Sequence, residues 1–537
     1  MLHSFLLSSL LLASPALAAT AADWSTRMIY QVVTDRFALS DNSSSACDTS
    51  NRTYCGGSWV GIINHLDYIQ NMGFDAVWIS PIVENVDGTG YGDGYHGYWS
   101  RDIDTVSTRF GSTDDLKALS TAIHERGMYF MLDIVINHFA GVPTNDTVSQ
   151  DNLFTFDYSE LLPFGTEAEF HTQCFISDYT NQTNVEQCWL GDKVLPLPDI
   201  DTEDDAVVAT LNAWIKNIVA EYGIDGVRID TVKHIRHDFW SNFTASAGVF
   251  TLGEVLSENA TYAGSYIGAV DAVLDYPSWY NLVGAFNDSL GNLSALENSP
   301  ALASLAPDGP SSIALLTATF LENHDQPRFA SYTSDSALTK NAMTWPFVTD
   351  GIPIMYYGQE QGYAGGADPY NREALWLSGY MTDKPLVAHA QSLTAVRKLA
   401  IAGNASFLTG PARWISQADP STLMLSKLPL TTLLTNIGTM GTRAPTWSIP
   451  AGLYAPNTTL VDALACKTVT VDGQGGATVV TAEAGLPQVL IPASMLSKAG
   501  GACPALATGG SSGARQGRRA VAGLAVLGAV LGVLALV

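Results

Sequence analysis

Apolar, β-branched runs recur along the chain at residues 29–33, 76–79, 129–135, 226–230, 251–255, 272–275, 318–322 and 352–357. Their apolarity is continuous rather than alternating, which predicts strands covered on both faces, as in a parallel sheet. Between them, residues 114–126 place Leu116, Leu119 and Ile123 at helical spacing, and residues 207–222 do the same with Leu211, Ile215 and Ile218. Eight strand–helix units match an α/β (β/α)8 TIM barrel. A doubly wound open sheet shares this rhythm, but its first strand is followed by a Gly-rich phosphate turn, and none follows Val33.

The rhythm breaks twice. Residues 139–198 are rich in Thr, Asn, Asp and Gly and predict an excursion domain inserted after strand 3. Beyond Lys398, short Thr, Leu and Val runs separated by Gly and Pro predict a C-terminal antiparallel β-sandwich over 403–504. The barrel then comprises 19–138 and 199–402.

Residues 1–12 are mainly apolar and lead to Ala16-Leu17-Ala18, the pattern of a signal peptide spanning 1–18. Residues 520–537 contain only Ala, Val, Leu and Gly, preceded by small residues at 509–514 and a polar spacer. That order predicts a GPI-attachment signal over 505–537, removed from the mature chain; a tail anchor is the alternative. The protein is therefore expected outside the cell, anchored by a GPI lipid to the outer face of the plasma membrane or held in the cell wall, and monomeric. Sequons at Asn42, Asn51, Asn145, Asn181, Asn242, Asn259, Asn287, Asn292, Asn404 and Asn457 agree with a glycosylating route. So do six cysteines in an oxidising compartment. Of about 15 pairings, loop closure favours Cys47–Cys55 and Cys174–Cys188, leaving Cys466 for Cys503.

A net charge of −26 repels polyanions, so nucleic acid is excluded as a partner. A neutral, hydroxyl-rich ligand needs no basic field, and the Trp and Tyr content offers flat faces for sugar rings. Three acids fall at strand ends. Asp230 stands two residues from Arg228 on one strand face, and the guanidinium is expected to keep it ionised, fit to act as a nucleophile. Glu254 follows Gly253 with little positive charge beside it in sequence, so a raised pKa is expected to fit it for general-acid work. Glycine at 253 suggests close approach of backbone or substrate. Asp325, after Glu322-Asn323-His324, suits ring hydroxyls that tighten as positive charge develops, or a helix N-cap. His138 and His324 add donors. These groups together suit cleavage of a bond between sugars.

These motifs, with Gly90-Tyr-Gly-Asp-Gly-Tyr-His-Gly-Tyr-Trp99, His124-Glu-Arg-Gly-Met-Tyr129 and Tyr356-Tyr-Gly-Gln-Glu-Gln361, resemble the fungal α-amylases of glycoside hydrolase family thirteen. The resemblance extends to a GPI-anchored α-amylase and 4-α-glucanotransferase group. It implies a retaining enzyme on α-1,4-glucan or malto-oligosaccharide, with Asp230 as nucleophile, Glu254 as acid and base, and Asp325 as transition-state stabiliser. It further implies that Tyr98, Arg228, His138 and His324 surround the attacked sugar while Tyr91 stacks on it. Asp368 and Arg372 would hold a more distant donor-side sugar, and Lys233 and His234 the acceptor. A calcium ion is implied, held by Asn137, Glu186, Asp199 and the carbonyl of His234, hard donors that suit it.

Two departures matter. Ser257-Glu258 stands where the family has Asp-Gly, and the C-terminal signal is unusual among released amylases. Both favour a transferase component. The expected activity is endo-hydrolysis of α-1,4-glucan, with 4-α-glucanotransfer on wall glucan as the alternative. A non-catalytic wall protein on the same scaffold is the reading from another class.

Overall fold

The eight apolar runs become eight parallel strands in a closed barrel: β1 (Ile29–Val32), β2 (Ala76–Ile79), β3 (Tyr129–Ile134), β4 (Gly226–Ile229), β5 (Phe250–Gly253), β6 (Ala272–Leu274), β7 (Thr317–Phe320) and β8 (Ile352–Tyr356). Each pairs with its sequence neighbours, and β8 closes on β1. The computed structural model describes residues 19–143, 155, 157–297, 317–441, 443–480, 485–496 and 503. The expected signal peptide, Asn145 and the 505–537 signal lie outside them.

Continuous apolarity has the predicted cause. One strand face meets the surrounding helices, and the other fills the barrel with Ile29, Trp78, Met131, Leu252, Leu274 and Ile354. Trp24 plugs the bottom, its ring stacked on Phe250 at 5.3 Å and its Nε1 donating to Asp225 O at 3.0 Å. Gly226 permits this: a Cβ there would sit 2.8 Å from the Trp24 ring. Outside, helix Asp205–Tyr222 is capped by Asp204 and stopped by Gly223 at φ +62°. Helix Thr113–Glu125 begins one residue earlier than its apolar spacing indicates, because Ser112 and Asp115 form a capping box.

Among the described residues of the inserted region, helix Gln182–Gln187 and the ladder of Leu190–Gly191 with Pro196–Leu197 are the regular elements beside short 3-10 turns. The Cys174–Cys188 disulfide ties it. Phe139 N to Pro198 O at 3.0 Å and Ile200 N to Asn137 O at 2.9 Å stitch its two ends together at the barrel mouth. A second wall, absent from the sequence reading, is the antiparallel pair Val83–Asn85 and Ser100–Val106.

The C-terminal part is a six-stranded antiparallel sheet faced by the pair Thr446–Ile449 and Ala477–Val480, with Met424, Leu433, Trp447 and Leu460 between them. It docks on the barrel through an apolar core shared by Leu423, Leu434 and Val489 with Met343 and Val348, and through polar bonds. Lys427 pairs with Asp350, and Asn341 donates to Gly485 O at 2.7 Å and accepts from Thr435 N at 2.9 Å. Cys47–Cys55 is bonded as loop closure favours, and Cys466–Cys503 is the remaining pair. No helix among the described residues is long and apolar enough to cross a membrane.

Candidate active site

One guanidinium organises the barrel mouth. Arg228, fully buried on β4, donates from Nη1 to Asp133 Oδ1 at 2.8 Å and to Asp230 Oδ1 at 2.7 Å, while its Nη2 lies 2.9 Å from Glu254 Oε2. The strand ladder holds both outer acids in register, through Asp230 N to Ile134 O at 2.9 Å and Glu254 N to Ile229 O at 2.8 Å. Asp133, on β3, also accepts from Trp78 Nε1 at 3.0 Å and Tyr98 Oη at 2.6 Å.

The electrostatics correct two expectations. Glu254 does not lack a positive neighbour, because the barrel brings Arg228 to it from the adjacent strand. Nor does the guanidinium alone set Asp230. Burial lifts the Asp230 pKa well above the usual carboxylate range, Arg228 opposes this, and the charges of Glu254 and Asp133 add to it. Burial likewise pushes Asp133 up to about 6 against Arg228 and its donors. One cation cannot offset three buried carboxylates, so Asp230 and Asp133 both stay above the ordinary carboxylate range despite Arg228. Gly253 also has a different role from that expected. A Cβ there would meet Val232 and Val270 side chains at 3.0 Å, so it serves packing behind the acid.

Across the cleft, Asp325 has its carboxyl 35% exposed, 3.4 Å from His324 Nε2 and 3.8 Å from Arg372 Nη2. The turn acceptor here is Asn323, whose Oδ1 takes Asp325 N at 3.0 Å and Gln326 N at 2.9 Å, so Asp325 is not a helix cap. The His324 ring stacks on Tyr98 at 4.9 Å, nearly parallel, and its Nδ1 is 2.9 Å from Gln31 Nε2. His138 bonds Tyr98 O at 3.1 Å and Asn137 Oδ1 at 2.8 Å, and burial pushes its imidazole down to about 4. Burial, with Arg228 and Arg372, also holds His324 well below the ordinary imidazole value, so both imidazoles are neutral near pH 7.

On one flank, Arg372 Nη1 pairs with Asp368 Oδ1 at 2.9 Å, and Arg52 Nη1 holds the other oxygen at 2.7 Å. Tyr91 is partly exposed and its hydroxyl donates to Asp192 across the cleft rim. On the other flank, Lys233 Nζ donates to Leu256 O at 2.9 Å beside the exposed ring of Tyr179. The His234 ring meets the Tyr179 ring edge-on at 6.4 Å. It is buried, with Nδ1 3.2 Å from Val185 O on the inserted helix.

Near the junction of barrel and insertion, Asp199 Oδ1 and Asn137 Nδ2 are buried without a hydrogen-bond partner among the described residues. Burial raises Asp199 to about 8 despite His171, whose Nδ1 sits 2.7 Å from Asp199 Oδ2. Glu186 is partly buried and accepts from Gln182 at 2.8 Å. A separate group, His171, Asp201 and Glu203, has ligand atoms near enough together to hold a metal ion. Burial lowers the His171 pKa, but bonds to Asp199 and Glu203 outweigh it and raise it to about 10.

Sequence reasoning gave no role in the site to Asp133, Gln31, Trp78 or Asp192. Asp133 had a signal, since an acid inside an apolar strand requires a buried partner. The others had none, because their partners are distant in sequence.

A closed parallel barrel with three carboxyls and two neutral imidazoles at its mouth is the build of a barrel hydrolase. The chain matches the family model "Alpha amylase, catalytic domain" over residues 31–395 and "Alpha-amylase, domain C" over 418–508. It is 51% identical over 393 residues to Alpha-amylase 1 of Lipomyces kononenkoae, 73% of this chain and 61% of that one. It is 42% identical over 490 residues to Alpha-amylase 2 of Schwanniomyces occidentalis, 90% of this chain and 93% of that one. An α-amylase structure from Malbranchea cinnamomea aligns with TM-score 0.84 at 42% identity, covering 90% of this chain and all of that one. The chain belongs to the α-amylase family and is a glycoside hydrolase.

Proposed function

We propose that this α-amylase-family enzyme cleaves internal α-1,4 bonds of starch-like or cell-wall α-glucan with retention of configuration. The observation that carries the reading is Arg228 bridging Asp230 and Glu254. Two carboxyls held on one guanidinium suit a retaining pair, whose carboxyls stand about 5 Å apart, rather than an inverting pair with a water between. With the proton on Glu254, ionised Asp230 attacks the anomeric carbon as Glu254 protonates the leaving glycosidic oxygen. The glycosyl ester on Asp230 is then displaced by water, whose proton returns to Glu254. Asp325 and the neutral His138 and His324 bind ring hydroxyls as positive charge grows. Tyr98 and Tyr91 supply ring faces, Asp368 and Arg372 the donor side, and Lys233 the acceptor side.

A second reading, glucan transfer, draws support from the ledge of Lys233, Leu256 and the 62%-exposed Tyr179, an aromatic platform for a sugar acceptor. Maltopentaose separates the two: hydrolysis yields only shorter products, whereas products longer than the substrate mean that a sugar hydroxyl takes the place of water.

Calcium fits the barrel–insertion junction. Neutral His138 donates from Nε2 to Tyr98 O, so its Nδ1 needs a donor. Exchanging the two ends of the Asn137 amide supplies one and turns the amide oxygen to the unpartnered side, toward hard-cation chemistry shared with bare Asp199 Oδ1. Glu186 and the His234 carbonyl complete the proposed ligands. The ion's contribution when bound is structural, pinning the insertion to the barrel. Chelation is expected to lower the melting temperature by several degrees; an unchanged melt in excess chelator counts against these ligands.

The domain limits 19–138 with 199–402, 139–198 and 403–504 complete the reading, with secretion, glycosylation and a GPI anchor. Every described sequon asparagine is at least partly exposed, as a glycan acceptor needs. Phosphatidylinositol-specific phospholipase is expected to release the native protein from membranes; retention after treatment argues for another attachment.

A further inference from the structure

Gln31 stands on β1, across the barrel mouth from the acids. It is buried, at 2% exposure, with Nε2 2.9 Å from His324 Nδ1. The other ring nitrogen, Nε2, lies 3.4 Å from Asp325 Oδ1. The negative charge of the Asp325 carboxylate, in salt-bridge contact rather than hydrogen-bonded, favours the ring hydrogen on His324 Nε2. Nδ1 is then a bare acceptor, which only a donor satisfies, and the Gln31 amide NH2 is that donor. The reverse amide orientation would set two lone pairs against each other. Gln31 Oε1 has no partner among the described residues, so the amide is held by the imidazole rather than by a bond of its own.

The ring bears one hydrogen. Burial, then Arg228 and Arg372, push its pKa well below the ordinary imidazole value, against Glu254 and Asp368. With Asp325, these are the charged groups that face it. A neutral imidazole has two tautomers of similar energy in water, and the partner of one nitrogen decides which the other presents.

We propose that Gln31 is a positioning residue that holds His324 as its Nε2–H tautomer, aiming that N–H at Asp325 and at a sugar hydroxyl bound beside it. The inference rests on the glycosidase reading of the cleft. Gln31 acts through His324 without touching sugar. With Gln31 removed, the ring is free to carry its hydrogen on Nδ1. It then turns a lone pair toward Asp325 and withdraws a donor from the charge-developing sugar.

The test uses full-length mature enzyme labelled with 15N-histidine, with His324 identified by loss of its signals in His324→Gln. Two-bond 1H–15N spectra are expected to show wild-type His324 protonated on Nε2. Gln31→Met is expected to keep its melting temperature, show Nδ1–H character at His324, and lose about tenfold in kcat with KM little changed, less than deleting a donor outright costs. Gln31→Glu places a carboxylate that demands Nδ1–H, so an imidazolium and a new ionisation in the pH profile of kcat are expected. The proposal is overturned if wild-type His324 is protonated on Nδ1, or if Gln31→Met leaves both spectrum and kcat unchanged. Ordinary turnover by Asp230→Asn would remove the glycosidase reading and leave the tautomer result standing, so the two failures are distinguishable.

Discussion

Asp230→Asn lowers kcat on malto-oligosaccharides by roughly 10⁴-fold or more, while the variant still binds them. The amide has the shape of the carboxylate but cannot form the glycosyl ester, so the step that splits one difficult displacement into two is lost. Four decades correspond to about 5.5 kcal/mol of barrier. Stability moves the other way. Removing one of three acids around Arg228 relieves like-charge repulsion in a buried cluster, so the variant melts at or above the wild-type temperature. Steady-state kinetics, calorimetric titration with oligosaccharide and a thermal melt check the three parts. Near-normal turnover would dismiss Asp230 as nucleophile.

Arg228→Met destabilises the fold by about 3–5 kcal/mol and abolishes turnover. Methionine fills much of the space but leaves Asp133, Asp230 and Glu254 without the cation that pairs with all three. Some charge is shed by taking up protons, which removes the ionised nucleophile. Arg228→Lys keeps a positive charge, yet an ammonium is a point charge and cannot span acids on three strands, so it recovers stability more than activity. Denaturant titration with parallel kinetics measures both. A methionine variant as stable as wild type would show that Arg228 does not hold the cluster.

Much of the barrel was legible along the chain because a strand buried on both faces leaves no polar alternation, and all eight such runs form strands. The wall formed by Val83–Asn85 and Ser100–Val106 was not, since its mixed residues serve a cleft surface rather than a core. Asp230, Glu254 and Asp325 stood out because acids ending apolar strands are costly without a purpose. Their electrical state did not, because neighbours in sequence are poor guides to neighbours across a barrel.

The sequence by itself determined the eight-strand rhythm, the choice of acids and the pairing of cysteines close along the chain. These follow from local periodicity, strand-end polarity and loop entropy, all properties of short segments. Only the tertiary structure decided that Arg228 serves three carboxyls, that the His234 ring is buried against the inserted helix, and that Gln31 faces His324. Residues 293 apart meet only when β1 closes the barrel beside β8, next to β7 and the loop that carries His324. Desolvation in the closed barrel then sets the charges that no count of nearby residues reveals.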